Sequence, residues 1–121
     1  MAYKHSEEST GSTKEMAVNF LQLVIAGNID DAYKRYVDMQ GEHHNPYFPA
    51  GFPALKEAMK DNHQQFPNKL FDIQHVIAEG NMVASHSILR MGEKQLAVVH
   101  LFRFENGKIV EMWDVAQEIP E

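Results

Sequence analysis

The fold of this chain is decided by one stretch, AVVHLFRFENGKIVEMWDV, which runs from Ala97 to Val115. Two apolar runs flank Asn106-Gly107, and an Asn-Gly pair between two such runs is a strong β-hairpin signal. The length of the turn then decides which side chains share a face, because a slip of one residue moves every side chain to the other face.

Two turns are possible, and they sort the side chains differently. A two-residue loop of Asn106-Gly107 would pair His100 with Trp113 and mix polar and apolar side chains on both faces. A three-residue loop, Glu105–Gly107, separates them. It gathers on one face Val98, His100, Phe102, Phe104, Val110, Met112, Asp114 and Ala116. We therefore predict the three-residue loop, which places an acid and an imidazole in an apolar pocket.

Composition limits the classes of protein that the chain can be. Its 121 residues, 44% of them hydrophobic, fit one compact domain, and we predict a single domain over residues 1–121 with a flexible segment at 1–12. A net charge of −6 without a Lys or Arg cluster argues against nucleic acid and against an anionic membrane surface.

The content of cysteine and of long apolar runs gives two further limits. The chain has no cysteine, which removes disulfides, thiolate metal sites and a cysteine nucleophile. No apolar run approaches the roughly 20 residues that span a bilayer, and the first residues lack a signal pattern. We expect a cytoplasmic protein with no membrane contact.

The order of the predicted elements indicates the fold class. Helical spacing extends from Ser12-Thr13 to Gly27-Asn28, over Ile29–Val37 and over Ala54–Phe66. The proline-rich segment Gly41–Pro53 indicates a short strand and then a loop. From Lys69 onward the pattern is that of a β meander. Helices followed by strands favour an α+β fold in which the helices cover one face of a curved antiparallel sheet.

Several motifs together resemble a known family. His44-Asn45-Pro46, Val83-Ala84-Ser85-His86 and the run from Phe102 to Gln117 are similar to the SnoaL-like polyketide cyclase group of the NTF2-like superfamily. The resemblance extends over nearly the whole chain and is most specific in the run from Phe102 to Gln117. It implies an NTF2-like cone with three helices on the concave side of the sheet.

The resemblance also implies an activity. In the characterised cyclases an aspartate near the end of the last long strand is the acid/base of an intramolecular aldol condensation that uses no metal or organic cofactor. Asp114 matches that aspartate, and His100 matches a histidine that assists it. Relatives that share the Trp-Asp segment often have histidine where this chain has Met112 and a carboxylate where it has His100.

The residues themselves give two interpretations of Asp114. Its apolar neighbours would partly desolvate the carboxylate, which raises the pKa and suits proton exchange near neutral pH. Alternatively, it forms an ion pair with His100 or Arg103, and pairing with His100 would make the acid a weaker base. His100 would either stabilise an enolate oxygen or be a satisfied core histidine. We predict that Asp114 and His100 are catalytic.

A second set of residues is expected to bind the substrate. These are the polar His44, Asn45 and His86 and the apolar or aromatic Tyr33, Tyr47, Phe48, Phe52, Met59, Phe102 and Met112. The direction of His86 depends on whether the turn at Gly92 contains a bulge. His43 and His44 suggest a metal site, but adjacent strand residues point to opposite faces and no His-Glu-x-x-His spacing occurs. We predict no metal and no cofactor.

The predicted function is that of a cofactor-independent acid/base enzyme. Its substrate would be a small hydrophobic carbonyl compound, and the reaction an aldol condensation, a cyclisation or an isomerisation. The alternatives are a non-catalytic module for ligand binding or dimerisation, and a hydrolase or dehydratase that uses an activated water. The sheet face away from the pocket is too apolar to leave in water and predicts a homodimer through Val99, Leu101, Ile109, Trp113 and Val115.

Overall fold

The computed structural model describes residues 12–120, which form three helices and five strands. Their order is α1 Thr13–Ile25, α2 Ile29–Tyr36, β1 Val37–His44, α3 Phe52–Gln65, β2 Leu70–Glu79, β3 Met82–Met91, β4 Lys94–Glu105 and β5 Lys108–Glu118. Apart from residue 12, the segment predicted to be flexible lies outside the described residues. None of the helices in residues 12–120 combines the length and the apolar character needed to cross a membrane.

The helix ends follow from local sequence signals. Ser12 caps α1, since its hydroxyl accepts a hydrogen bond from the backbone N–H of Glu15 at 3.1 Å. Pro53 lies in the first turn of α3, so that helix begins two residues before the predicted Ala54. Val37, predicted as the last residue of the second helix, is instead the first residue of β1, because the chain passes directly from α2 into the sheet.

The five strands form one mixed sheet in the order β1-β5-β4-β3-β2. The strands β2 to β5 are antiparallel neighbours, as predicted, whereas β1 pairs with β5 in parallel at the edge of the sheet. A parallel pair needs a long connection, and α3 with the rest of the sheet supplies it. The predicted α+β fold is confirmed, with the correction that one of its five strands is parallel.

The turn between β4 and β5 differs from the prediction. Asn106 and Gly107 have φ angles of 52° and 76°, and Glu105 pairs directly with Lys108. Two consecutive residues with positive φ characterise the two-residue turn whose twist matches that of the strands. The predicted three-residue loop is therefore wrong, because Asn-Gly alone satisfies the turn.

A bulge in β5 restores the separation of the two faces. Ile109 pairs with Phe104, after which the register shifts around Val110, and His100 comes to lie opposite Asp114. Because one extra residue changes which side chains share a face, Met112 and Asp114 still point to the apolar side. Ile109 is fully buried in the core and does not lie on the open face where it was predicted.

A second irregularity fixes the edge strand β1. The backbone of Gly41 passes so close to the carbonyl oxygen of Val110 that a Cβ atom would clash there. The register of β1 shifts between Val37 and Glu42, and beyond the shift His43 pairs with Met112. This register carries the residues that follow β1 toward the end of β5, where Asp114 lies.

Candidate active site

A cavity of about 460 Å³ lies between the helices and the concave face of the sheet. Most of its walls are apolar, and residues from all three helices contribute to them. Eight of the residues predicted to form the site line it: Tyr33, Asn45, Tyr47, Phe48, Met59, His100, Met112 and Asp114. Strands β4 and β5, helices α2 and α3 and the loop after β1 therefore bring most of the predicted residues to one cavity.

Asp114 and His100 form a close pair on neighbouring strands. The Nε2 atom of His100 lies 2.5 Å from Oδ1 of Asp114, and each side chain is 14% exposed. The ring of Phe102 stacks on the imidazole with 5.7 Å between centroids and 15° between planes. The register of the hairpin and the support of this buried ring fix the pair in place.

Asn45 holds the other oxygen of the carboxylate. Its Nδ2 atom donates to Oδ2 of Asp114 at 3.1 Å, and its own Oδ1 accepts from the backbone N–H of Tyr47 at 3.0 Å. The backbone N–H of Asn45 donates to Nδ1 of His43 at 3.1 Å. Both ends of the Asn45 side chain are therefore used, and its amide is oriented before any ligand binds.

His43, predicted only as a possible metal ligand, has a different part in the site. Its Nε2 atom lies 2.8 Å from the carbonyl oxygen of Pro49, which can only accept, so Nε2 carries the proton and Nδ1 is free to accept from Asn45. His43 thereby joins both ends of the loop that presents Asn45. The signal that could have revealed it is strand alternation, since His43 and Asn45 share one face.

The pKa of Asp114 reflects two opposing influences. Burial acts to raise the pKa, but the charge and hydrogen bond of His100, with the hydrogen bond of Asn45, outweigh it. The net pKa is lower than the usual 3.8. Desolvation acts in the direction that the first interpretation gave, but the net upward shift it implied is wrong because it left the paired imidazole out. The direction of the shift fits the ion-pair interpretation. Asp114 is thus a carboxylate at neutral pH.

Replacing the imidazole tests this balance. In the variant His100→Phe, only Asn45 and His43 remain to lower the pKa of Asp114 against the effect of burial. We expect this pKa to rise above 3.8. A ¹³C NMR titration of the carboxyl carbon measures the shift, with His75→Phe on the opposite sheet face as the control. An unchanged pKa in His100→Phe would contradict the pairing.

The lowered pKa of Asp114 also affects the stability of the wild type. It stabilises the folded state above about pH 4, and this stabilisation is lost as the pH falls through the pKa that Asp114 has in the folded protein.

Tyr33 adds a neutral hydroxyl to the cavity. Burial raises the pKa of this phenol, and the nearby carboxylate of Asp114 raises it further, so the hydroxyl keeps its proton. The ring is held edge-on between Phe20 and Phe52, at centroid distances of 5.3 and 6.4 Å. Within residues 12–120 no group forms a hydrogen bond with the hydroxyl, which leaves it available as a donor to a ligand.

Two of the predicted polar residues lie on the opposite face of the sheet. His44 binds Oε2 of Glu111 at 2.7 Å through its Nε2 atom and stacks on Trp113 with 5.1 Å between centroids. His86 stacks on His75, and their Nδ1 atoms are 3.1 Å apart. The prediction that His44 binds the substrate is corrected because strand alternation directs His43, not His44, inward. His86 likewise does not line the cavity.

Two predicted aromatic residues support the cavity without lining it. Phe52 and Phe102 are both fully buried, Phe52 behind Tyr33 and Phe102 beneath His100. Their expected contact with the substrate is corrected to core packing, because another side chain of the site lies over each ring. In the part of the chain that the structure describes, no three His, Cys, Asp or Glu side chains converge as a metal site would require.

Solved structures define the class of fold to which this architecture belongs. An NTF2-like protein of unknown function from Cytophaga hutchinsonii is 18% identical, with 97% of this chain and 95% of that chain covered and a TM-score of 0.72. A SnoaL-like polyketide cyclase from Agrobacterium tumefaciens is 15% identical, with 88% and 91% covered and a TM-score of 0.73. A candidate ketosteroid isomerase from Kribbella flavida is 16% identical, with 90% and 80% covered and a TM-score of 0.73. At these identities the likeness shows an NTF2-like fold.

A family model assigns the chain to one family within this fold. The model of the SnoaL-like domain matches residues 17–112, and the chain belongs to the SnoaL-like family. The predicted resemblance is therefore confirmed. A comparison with curated proteins finds no significant match.

Proposed function

We propose that this SnoaL-like protein is a cofactor-independent enzyme that removes a proton next to the carbonyl group of a small hydrophobic compound. The observation that carries the proposal is the ionised carboxylate of Asp114, which lies in an apolar cavity between two oriented hydrogen-bonding partners, His100 and Asn45. A positioned carboxylate of this kind is a candidate base for carbon acids.

The proposed chemistry assigns a role to each polar side chain. Asp114 accepts the proton from the carbon next to the carbonyl, and the electrons of that C–H bond move to the carbonyl oxygen. The hydroxyl of Tyr33, which keeps its proton, donates a hydrogen bond to this enolate oxygen. The His100 imidazole holds the carboxylate in place. In an aldol cyclisation the enolate carbon then attacks a second carbonyl, whose oxygen takes the proton from Asp114. In an isomerisation Asp114 returns the proton to another carbon.

The structural relatives support this class of reaction. One is named a polyketide cyclase and another a candidate ketosteroid isomerase. Aldol condensation and ketosteroid isomerisation both begin with the removal of a proton next to a carbonyl group. The apolar walls of the cavity suit a hydrophobic compound, since they exclude water from the carboxylate and so strengthen its interactions.

One observation favours a second candidate, a non-catalytic module that binds a small apolar ligand. Both oxygens of Asp114 already have partners, and its lowered pKa makes it a weaker base than a lone buried carboxylate. In that case the pair would serve only to satisfy polar groups around the ligand. Binding without proton exchange would identify the module.

Proton NMR in D₂O distinguishes the two candidates without knowledge of the natural substrate. Ketones, β-keto esters and cyclic enones are incubated with the protein, and the loss of the signal next to the carbonyl is followed against a buffer control. Ligand binding is measured on the same panel. Exchange faster than in buffer supports the enzyme, whereas binding with exchange at the buffer rate supports the module.

We further propose that the protein is a homodimer through the open face, the sheet surface away from the helices that carries Ile77, Val99, Leu101, Trp113 and Val115. Ile77 and Val115 are 68% and 59% exposed, which is unusual for large apolar side chains. The same face carries Arg103 paired with Glu111 at 3.1 Å. A twofold axis places the same patch of two copies against each other. Because the open face carries charges of both signs, an arginine of one copy can lie near a glutamate of the other.

A charge in the centre of the open face tests the dimer. We expect the wild type to sediment at about twice its 13.8 kDa mass at micromolar concentration, and Leu101→Glu to sediment as a monomer because dimerisation would bury the new carboxylate. The matched control is Phe66→Glu, an apolar side chain just after α3 that is 40% exposed. A monomeric wild type would contradict the proposed interface.

A further inference from the structure

A lysine lies in the wall of the cavity, away from the Asp114–His100 pair. Lys69, just before β2, lines the cavity together with Asn62 of α3 and Glu118 of β5. Its Nζ atom donates to Oδ1 of Asn62. The proposed chemistry uses Asp114, His100 and Tyr33 and gives no role to Lys69 or Asn62.

The ammonium group lacks the partner that a partly buried cation usually has. Lys69 forms no ion pair with any acid among residues 12–120, whereas Lys56 and Lys60, which are also only partly exposed, both pair with Asp30. Lys69 is only partly exposed, and this partial burial lowers the pKa of its ammonium group. The nearby carboxylate of Glu118 is exposed to solvent and lies beyond ion-pair distance. A desolvated cation without a counter-ion favours an anion from outside the chain.

Asn62 orients the Lys69 ammonium and adds a second hydrogen-bond donor for an anion. Its Oδ1 atom orients the ammonium, and its Nδ2 atom has no partner among the described residues. The side chain therefore presents an amide N–H₂ donor beside the two N–H groups that Lys69 has left. An ammonium and an amide next to each other can bind the two oxygens of one carboxylate.

The position of Lys69 relative to the catalytic pair sets the length of the ligand. His100 pairs with Asp114, and Leu96, four residues before His100 in β4, pairs with Glu118. The Leu96–Glu118 row continues through Leu89 of β3 to Phe71 of β2, two residues after Lys69. At about 3.3 Å per residue these two rows are roughly 13 Å apart along the strand. A ligand that reaches from the catalytic pair to Lys69 is therefore elongated, with polar groups at both ends and an apolar body between them.

We propose that Lys69 and Asn62 form an anion subsite, and that the ligand is an apolar carbonyl compound with a carboxylate at the end remote from its reactive carbonyl. The proposal names the substrate class of the proposed enzyme and rests on that function in taking the cavity as the ligand site. Lys69 acts by binding the ligand and takes no part in proton transfer.

A pair of ligands that differ only in charge tests the subsite. Naphthalene-1-acetate and naphthalene-1-acetamide have the same apolar body, and their affinities are measured by calorimetry at low salt. We expect the wild type to bind the carboxylate about 10-fold more tightly, as one charge-assisted hydrogen bond allows. Lys69→Met should lose this preference, and Lys69→Arg should keep it. Lys60→Met, which removes a partly exposed lysine paired with Asp30, is the control and should bind like the wild type.

Each outcome of this experiment decides the proposal. Equal affinities in the wild type, no binding of either ligand, or a preference that survives in Lys69→Met would overturn it. Tighter binding of the carboxylate in Glu118→Gln would add support, because that variant removes a competing negative charge. The preference is independent of proton exchange, so it can fail while neutral ketones still exchange, and it can hold in a protein that does not catalyse exchange.

Discussion

The variant Asp114→Asn is expected to lose the proton exchange that we propose for the wild type. An amide has nearly the same shape as the carboxylate but does not accept a proton from carbon, and positioned acid/base groups contribute about 10²- to 10⁴-fold to rate. We therefore expect the exchange rate of any ketone that the wild type turns over to fall by at least about 10²-fold. The measurement is the initial rate of deuterium incorporation, followed by proton NMR.

Two controls separate the loss of the base from a loss of structure. Asp114→Asn should keep its ligand affinity within a few-fold and its cooperative unfolding. The amide oxygen can accept from Asn45, and the amide N–H₂ can donate to Nε2 of His100 in the tautomer that carries its proton on Nδ1. Glu111→Gln is the matched variant: it removes another carboxylate of β5, one that binds His44 and Arg103 on the opposite face. We expect its exchange rate to equal that of the wild type. Exchange by Asp114→Asn within a few-fold of the wild type would exclude Asp114 as the base.

The variant Phe102→Ala is expected to lose about 3–5 kcal/mol of the free energy of unfolding. Phe102 is fully buried, contacts Phe20 edge-on at 5.9 Å and stacks beneath the imidazole of His100. Truncation leaves a cavity in the centre of the core, and the cost is a large part of the roughly 5–15 kcal/mol that stabilises a typical domain. Urea unfolding monitored by circular dichroism measures it.

A matched aromatic residue of the cavity gives the contrast. Tyr47 is 77% exposed, and Tyr47→Ala should change the free energy of unfolding by less than about 0.5 kcal/mol. If Phe102 were a substrate contact and not a core residue, the two variants would be similarly stable and would differ in ligand affinity. A loss below about 1.5 kcal/mol for Phe102→Ala would contradict its place in the core.

The sequence allowed the fold to be predicted because its signals were local. Periodicity identified three helices and the strands of the meander, and the Asn106-Gly107 pair identified the last hairpin. The bulge at Val110 could not be predicted, because it depends on how β5 meets both β4 and the edge strand β1. The parallel pairing of β1 was missed for the same reason, since it joins residues far apart in the chain.

The candidate site shows the same division. Asp114, His100 and Asn45 were expected from strand alternation and from the family resemblance, and the structure brings them within hydrogen-bonding distance of one another. His43 and His44 were harder to separate, because the register set at Gly41 decides which of them faces inward. The direction of the pKa shift of Asp114 depends on its contacts with His100 and Asn45, and no spacing in the sequence measures those contacts.

The central claim is that the cavity of this protein activates the C–H bond next to a carbonyl group. Its most direct test is the rate of deuterium incorporation into the panel of ketones, β-keto esters and cyclic enones by the wild-type protein in D₂O. We predict that at least one class of these compounds exchanges faster with the protein than in buffer. Exchange at the buffer rate throughout the panel, with binding of the same compounds demonstrated, would contradict the claim and leave a ligand-binding protein.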